Sequence, residues 1–262
     1  MAEIIKNPPQ LQPLARPDVE VLLCGRGRVN FAWNFVRKAP FWFLYCNPEP
    51  GACLEFDGKK LFPGAGEIIL IPPGTPFKSS CLQPFEHLYI HFTAGRPYSR
   101  IKPEVIILAS DMAAPVLEKI FNSDPPPAAA VFGLLYSVLA LIPQRCFAME
   151  ERDVDDRIHR ALNMITRGMN NTKICASIGM SISNFQRKFK AETGMSPMKY
   201  AMQLRLERAR CALAYSDDDI AGIAESCGFA DRYAFSKAFK KYTGFSPAKY
   251  RQKNNRPQAD GC

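Results

Sequence analysis

A twelve-residue stretch occurs twice in this chain. Phe189–Tyr200 and Phe239–Tyr250 lie 50 positions apart and agree at Phe, Lys, Thr, Gly, Ser, Pro, Lys and Tyr. Such agreement, Gly and Pro included, marks a duplicated structural unit, and a fixed internal period outranks any single-segment reading. The match extends upstream at an offset of 49: Ile174-Cys175 with Gly179-Met180 corresponds to Ile223-Ala224 with Gly228-Phe229, so one residue is inserted before Phe235. Each unit reads as short helix, Gly turn, second helix, Gly stop. Gly179 and Gly228 suit the left-handed residue that ends a helix. Ser181 and Asp231 suit the N-cap of the second helix. Phe185 with Phe189, and Phe235 with Phe239, make i,i+4 apolar pairs facing inward. After the stops at Gly194 and Gly244, Ser196-Pro197 and Ser246-Pro247 supply the N-cap and first residue of another helix. Helix, tight turn, helix is the helix-turn-helix layout.

The flanking segments serve this pair. Asp153 is placed to cap a supporting helix carrying Val154, Ile158, Ala161, Leu162 and Ile165, closed by Gly168. A long helix from Pro197 to about Tyr215 joins the units, with Leu204, Leu206, Ala209 and Leu213 placed to pack on both. Asp217-Asp218-Asp219 precede Ile220, where acidic residues suit a helix start.

Charge follows the same division. Residues 1–150 hold 14 Lys and Arg against 13 Asp and Glu; residues 151–262 hold 20 against 12, so nearly the whole net charge of +9 sits with the repeat. A basic surface beside helix-turn-helix units fits phosphate binding with release of counterions. The nine cysteines form no Cys-x-x-Cys pair and no zinc-spaced cluster with His, which reads as reduced, buried thiols in a cytoplasmic protein. Met1 to Leu11 lacks the apolar stretch of a signal peptide.

Taken together, Gly179-Met180-Ser181, Phe189-Lys190, Gly194-Met195-Ser196-Pro197, Arg205-Leu206-Glu207-Arg208-Ala209, Ile223-Ala224, Gly228-Phe229, Phe235, Phe239-Lys240, Gly244, Ser246-Pro247 and Tyr250-Arg251 resemble the AraC/XylS family of bacterial transcription regulators over roughly 153–252. The resemblance implies a DNA-binding function. A recognition helix reads base edges with outward side chains near its N-terminus. Those positions are Ser183, Gln186 and Arg187 in the first unit and Arg232, Tyr233, Ser236 and Lys237 in the second. Arg favours guanine and Gln adenine through paired hydrogen bonds. Lys190, Lys240, Lys241 and Arg251 are the candidates for phosphate contacts. Two heads on a stiff joint should meet successive major-groove segments about one helical turn apart.

The N-terminal half has another character. Residues 1–18 form an arm with prolines at 8, 9, 13 and 17. Five short aromatic or β-branched runs, 19–23, 41–45, 52–56, 67–71 and 87–92, read as strands bounded by Gly and Pro, and Asp57-Gly58 is a tight-hairpin signal. The expected architecture is an antiparallel barrel or jelly roll. Pro63-Gly64-Ala65-Gly66-Glu67 leading into Ile71-Pro72-Pro73-Gly74 resembles the turn of cupin-like sensory domains in AraC-type regulators, with Phe77 where a His is often found. The overall expectation is an α+β chain: a cupin-like sensing domain at 19–142, a linker at 143–152, the all-α double helix-turn-helix domain at 153–252 and a tail at 253–262.

A barrel of this size encloses a small cavity, and Trp33, Arg37, Trp42, Tyr45, His87 and Tyr89 have the chemistry to line a ligand site. His87 and His91 share a strand face, but the chain has only three His, so no metal or other cofactor is expected. The helices at 111–121 and 128–142 are too short for a bilayer; Val131, Leu134, Leu135, Val138, Leu141 and Ile142 pack either on the barrel or on a second copy. Expected partners are promoter DNA, a small-molecule effector such as a sugar, RNA polymerase and a second copy through 111–142, with no membrane. Two readings remain beside this one: a cupin-type enzyme with a helical accessory half, and a ligand-independent dimeric DNA binder.

Overall fold

A computed structural model of the chain describes residues 18–29, 33, 35–147 and 155–255. The expected arm up to residue 17, half of the linker (148–152) and the end of the tail lie outside these residues. Nine strands come first: β1 (Val19–Val29), β2 (Phe35–Arg37), β3 (Trp42–Cys46), β4 (Ala52–Phe56), β5 (Lys59–Leu61), β6 (Glu67–Ile71), β7 (Phe77–Cys81), β8 (Phe85–Ala94) and β9 (Ile106–Ala109). They form two antiparallel sheets, β1-β8-β3-β6-β9 and β2-β7-β4-β5. Asp57-Gly58 makes the β4–β5 hairpin, both residues at positive φ, with Phe56 opposite Lys59. The short strands β2, β5, β7 and β9 escape the sequence reading: three or four residues, or the polar face of β7, give too little alternation to see.

The alternation of strand side chains divides the core. Phe43 and Tyr45 of β3 join Leu54, Ile69, Ile71, Phe77, Phe85 and Tyr89 between the sheets. Trp42, Leu44 and Cys46 face the other way, against Leu117 and Ile120 of helix α1 (Ala114–Phe121) and Val131, Leu134, Leu135 and Val138 of α2 (Ala128–Ala140). A strand buried on both faces reads as a continuous apolar run, which is what Trp42–Cys46 is. The apolar stripe of α2 is therefore covered by the chain's own sheet. Gly25 lets the Tyr89 ring lie close over β1, where an added Cβ would meet its hydroxyl.

Seven helices follow: α3 (Asp156–Thr166), α4 (Asn171–Ile178), α5 (Ile182–Thr193), α6 (Pro197–Tyr215), α7 (Ile220–Ser226), α8 (Arg232–Thr243) and α9 (Pro247–Asn255). Helix α3 starts later than the sequence suggested. Its N-cap is Asp155, whose carboxylate accepts from the Arg157 backbone N–H at 3.1 Å, while Asp153 lies outside the described residues. Among the described residues no helix is long and apolar enough to cross a membrane.

Candidate nucleic-acid interface

The two units α4–α5 and α7–α8 are built alike down to single hydrogen bonds. Ser181 Oγ accepts from the Asn184 backbone N–H and Asp231 Oδ1 from that of Ala234. Helices α5 and α8 each run twelve residues and end at a left-handed glycine, Gly194 at φ 75° and Gly244 at φ 82°. The hydroxyls of Thr193 and Thr243 donate to the carbonyls of Phe189 and Phe239, and accept from the N–H groups of Met195 and Phe245. Edge-on ring pairs complete each unit: Phe189 against Tyr200 at 5.6 Å and Phe239 against Tyr250 at 5.4 Å. The matched residues of the repeat, its exposed lysines apart, are therefore the caps, stops and core of one reading head, made twice.

The residues that differ between the copies lie outside, together with the matched Lys190 and Lys240. Ser183, Gln186, Arg187 and Lys190 of α5 are exposed, as are Arg232, Tyr233, Lys237 and Lys240 of α8 and the adjoining Lys241. Ser236 is half-buried, and Tyr233 is 79% exposed, a large aromatic surface left in water. Arg187 is steadied by donating to Asn184 Oδ1 at 3.0 Å. Arg251 is placed differently from its neighbours: its guanidinium donates to the Asp218 carbonyl and fastens the α6–α7 loop.

The candidate ligand residues separate. Trp33, Tyr45, His87 and Tyr89 meet between the sheets, with ring centroids 5.1 Å apart for Trp33–His87 and 4.7 Å for Tyr45–His87. Trp42 does not join them, because its odd register in β3 turns it to the opposite face, stacked on Phe92. Arg37 ends β2, and its side chain lies outside the described part. His87 Nδ1 donates to Asn47 Oδ1 at 2.7 Å. Burial, then the charge of Arg210 and the neighbouring His91, hold the His87 pKa well below the usual value, so the ring is neutral. Among the described residues no three His, Cys, Asp or Glu gather as a metal site would require. Burial pushes the thiols of Cys24, Cys46 and Cys81 up to about 11.

Sequence reasoning missed the link between the halves. Glu207 and Arg210 of α6 are buried as a pair, 2% and 5% exposed. Arg210 donates to Glu207 Oε1 from both Nε (3.0 Å) and Nη2 (2.9 Å). Tyr242 of α8 donates to Glu207 Oε2 at 3.0 Å, and His91 of β8 lies 3.8 Å from Oε1. One carboxylate thus touches strand β8 and helix α8. The available signal was an i,i+3 opposite-charge pair between Leu206 and Leu213, inside the apolar face of a joining helix.

Residues 174–253 match a helix-turn-helix domain family. The chain is 26% identical over 216 residues to the raffinose operon transcriptional regulatory protein RafR of Pediococcus pentosaceus, covering 72% of this chain and 76% of that protein. It is 42% identical over 79 residues to the HTH-type transcriptional activator RhaS of Escherichia fergusonii, covering 30% of this chain and 28% of RhaS. The crystal structure of ToxT from Vibrio cholerae O395 has the same fold, with a TM-score of 0.53 at 15% identity, covering 89% of this chain and 99% of ToxT.

Proposed function

We propose that the chain is an AraC-type transcription regulator, and that the residues named below read DNA under the control of a small molecule. Ser183, Gln186 and Arg187 read base edges from α5; Arg232, Tyr233, Ser236 and Lys237 read them from α8. Lys190, Lys240 and Lys241 neutralise phosphates, and Arg251 supports the α6–α7 loop behind them. The observation that carries this reading is the duplicated helix, capped at Ser181 or Asp231 and stopped at Gly194 or Gly244, whose exposed face is polar and basic while its matched Phe residues are core. The two heads take successive major-groove segments of promoter DNA.

Residues 19–142 act as the sensing part and 153–252 as the DNA-binding part, in the cytoplasm. The effector is a small molecule; the raffinose operon regulator among the relatives favours a sugar. A second copy docks on the outer side of α1, α2 and their ends, where Met112 before α1, Tyr136 of α2 and Leu141 after it remain exposed, and promoter-bound dimers meet RNA polymerase.

Mobility shift of the full chain on fragments of its own genome at moderate salt tests the reading. A preferred site is expected. The double variant Gln186→Ala/Arg187→Ala should lose about 1–3 kcal/mol of discrimination per lost base contact while nonspecific binding persists. Lys240→Ala should weaken all sequences alike and lower the salt slope by about 1. Binding with no sequence preference by the unmodified chain would sink it.

A further inference from the structure

The two units hold one matched pair of outward cations in different ways. Arg187 of α5 donates from Nη2 to Asn184 Oδ1 at 3.0 Å. At the offset of 50 the same two places in α8 are Ala234 and Lys237, and alanine has no side-chain acceptor to offer. We propose that Asn184 is a positioning residue for base reading: it presets the Arg187 guanidinium for one guanine, a preference that the matching Lys237 lacks. The inference rests on the regulator reading above and adds a residue which that reading leaves out.

Geometry is the first support. Residues three apart on a helix are neighbours, so Asn184 and Arg187 meet on one face of α5. Asn184 is half-buried, and its backbone N–H is the one that Ser181 Oγ accepts at the N-cap. Arg187 is exposed. A side chain rooted in the capped first turn thus steadies a tip that reaches into solvent. The helix beneath is steadied as well. Phe185 and Phe189 are fully buried in the cluster shared with the strands, and Lys188 reaches Asp155 at 2.7 Å.

Donor counting is the second support. A guanidinium carries five N–H groups in a planar fork. Two of its edges present a parallel pair of them, Nη1 with Nη2 and Nε with Nη2. Nη2 belongs to both edges, and its bond to Asn184 uses one of its two hydrogens. One paired edge stays free, and one is what guanine O6 and N7 require. Asn184 therefore selects the edge of the guanidinium along with its rotamer, and a side chain already held loses less freedom on binding. Lys237 is a compact charge on a flexible stem, with no fork to select. Any base acceptor or phosphate oxygen within reach suits it.

The test is selection of duplexes by the full chain, from a pool randomised over about 25 base pairs, enough for two major-groove segments one turn apart. The unmodified chain should return a motif, and Arg187→Ala marks the guanine in question by flattening one position. Asn184→Ala should lower the preference for that guanine about fivefold and leave the other positions, the salt slope and the melting temperature as they are. Placed on top of Arg187→Ala it should change nothing further, since the two act as one unit. Asn184→Asp keeps an acceptor for Arg187, so the guanine should persist while the added negative charge weakens binding to every sequence. The graft Ala234→Asn/Lys237→Arg should write a new guanine into the other half of the motif. Both of its positions are exposed, so it tests the pair even where Asn184→Ala folds poorly. Three results overturn the proposal: a guanine preference unchanged in Asn184→Ala, a loss in that variant shared evenly by all positions, or a graft that returns no new guanine. Any of these with a clear motif from the unmodified chain sinks this inference alone. No motif from the unmodified chain sinks the regulator reading beneath it.

Discussion

The two reading heads share their sequence code but not their surroundings. The first is fused to the sheets. Phe185, Phe189, Ile174, Tyr200 and Leu204 belong to the same buried cluster as Phe43, Tyr45 and Tyr89. Polar contacts hem this junction: Asn163 with Thr93 and Asp18, Thr166 and Arg167 with Glu20, and Arg96 with Asp156. The second head has a separate cluster, Leu206, Ala209, Leu213, Ile223, Phe235, Phe239 and Tyr250, all from α6 to α9. Its buried polar tie toward the strands runs through Glu207, between Tyr242 and His91. Equal local sequence therefore gives equal local structure, while the long-range contacts of α3 and α6 decide which head is held and which can move.

The largest effects come from matched core deletions. Phe189 and Phe239 are both fully buried, and Phe→Ala at such sites costs about 3–5 kcal/mol. Phe189→Ala should loosen the first head and the strand core together. Phe239→Ala should open α7–α9 and leave the strands protected. Hydrogen exchange at the β8 amides reads the difference. Equal loss of protection in the two variants would show that the clusters act as one.

Next in size is the carboxylate between them. Glu207→Gln leaves the Arg210 guanidinium buried without its counter-charge, and breaking such a pair costs about 3–5 kcal/mol. Denaturant unfolding should report this loss, and Glu207→Met/Arg210→Met should recover much of it. A Glu207→Gln chain of unchanged stability would mean that the tie between β8 and α8 carries no weight.

The head was open to sequence reading because its signals are local. Ser181, Gly194, Ser196-Pro197 and their counterparts act within a turn or two, and each adopts the expected cap or stop. The joint was closed to it. Trp42 and Tyr45 look alike in a run of five apolar residues, and only sheet register turns one inward and the other out. The Asp18–Asn163 and Glu20–Thr166 contacts join residues nearly 150 positions apart, for which a single sequence carries no signal. The same holds for the space of about 290 Å³ that β3, β8, α3 and α5 enclose between them.

A smaller effect follows from pH. His87 has its pKa pressed down by burial first, then by Arg210 and His91. Its unfolded value is about 6.5, so this contribution is complete above that pH. As pH falls below it, the unfolded chain binds the proton and the folded one does not, and stability drops by up to about 1.4 kcal/mol per pH unit. The cluster of the second head contains no His. Mild acid should therefore lower the melting of the strands and first head before that of α7–α9. A flat profile between pH 7 and 5 would contradict the neutral, buried ring.

The smallest effect compares the two N-caps, each worth about 1 kcal/mol. Ser181 Oγ receives the Asn184 N–H at 3.4 Å, whereas Asp231 Oδ1 receives that of Ala234 at 2.7 Å and adds a full charge at the positive end of α8. By cap chemistry alone, Asp231→Ala should cost more than Ser181→Ala. The surroundings push the same way, because α5 is also fastened by Lys188 to Asp155 at 2.7 Å and by its place in the large cluster, while α8 packs in the smaller one and is tied near its end by Tyr242 to Glu207. Denaturant unfolding of the pair, read beside DNA affinity, should show Asp231→Ala losing more on both measures. If Ser181→Ala cost more, the first head would owe its stability to its cap and not to its docking, and the contrast between a held head and a movable one would fail at its least expensive point.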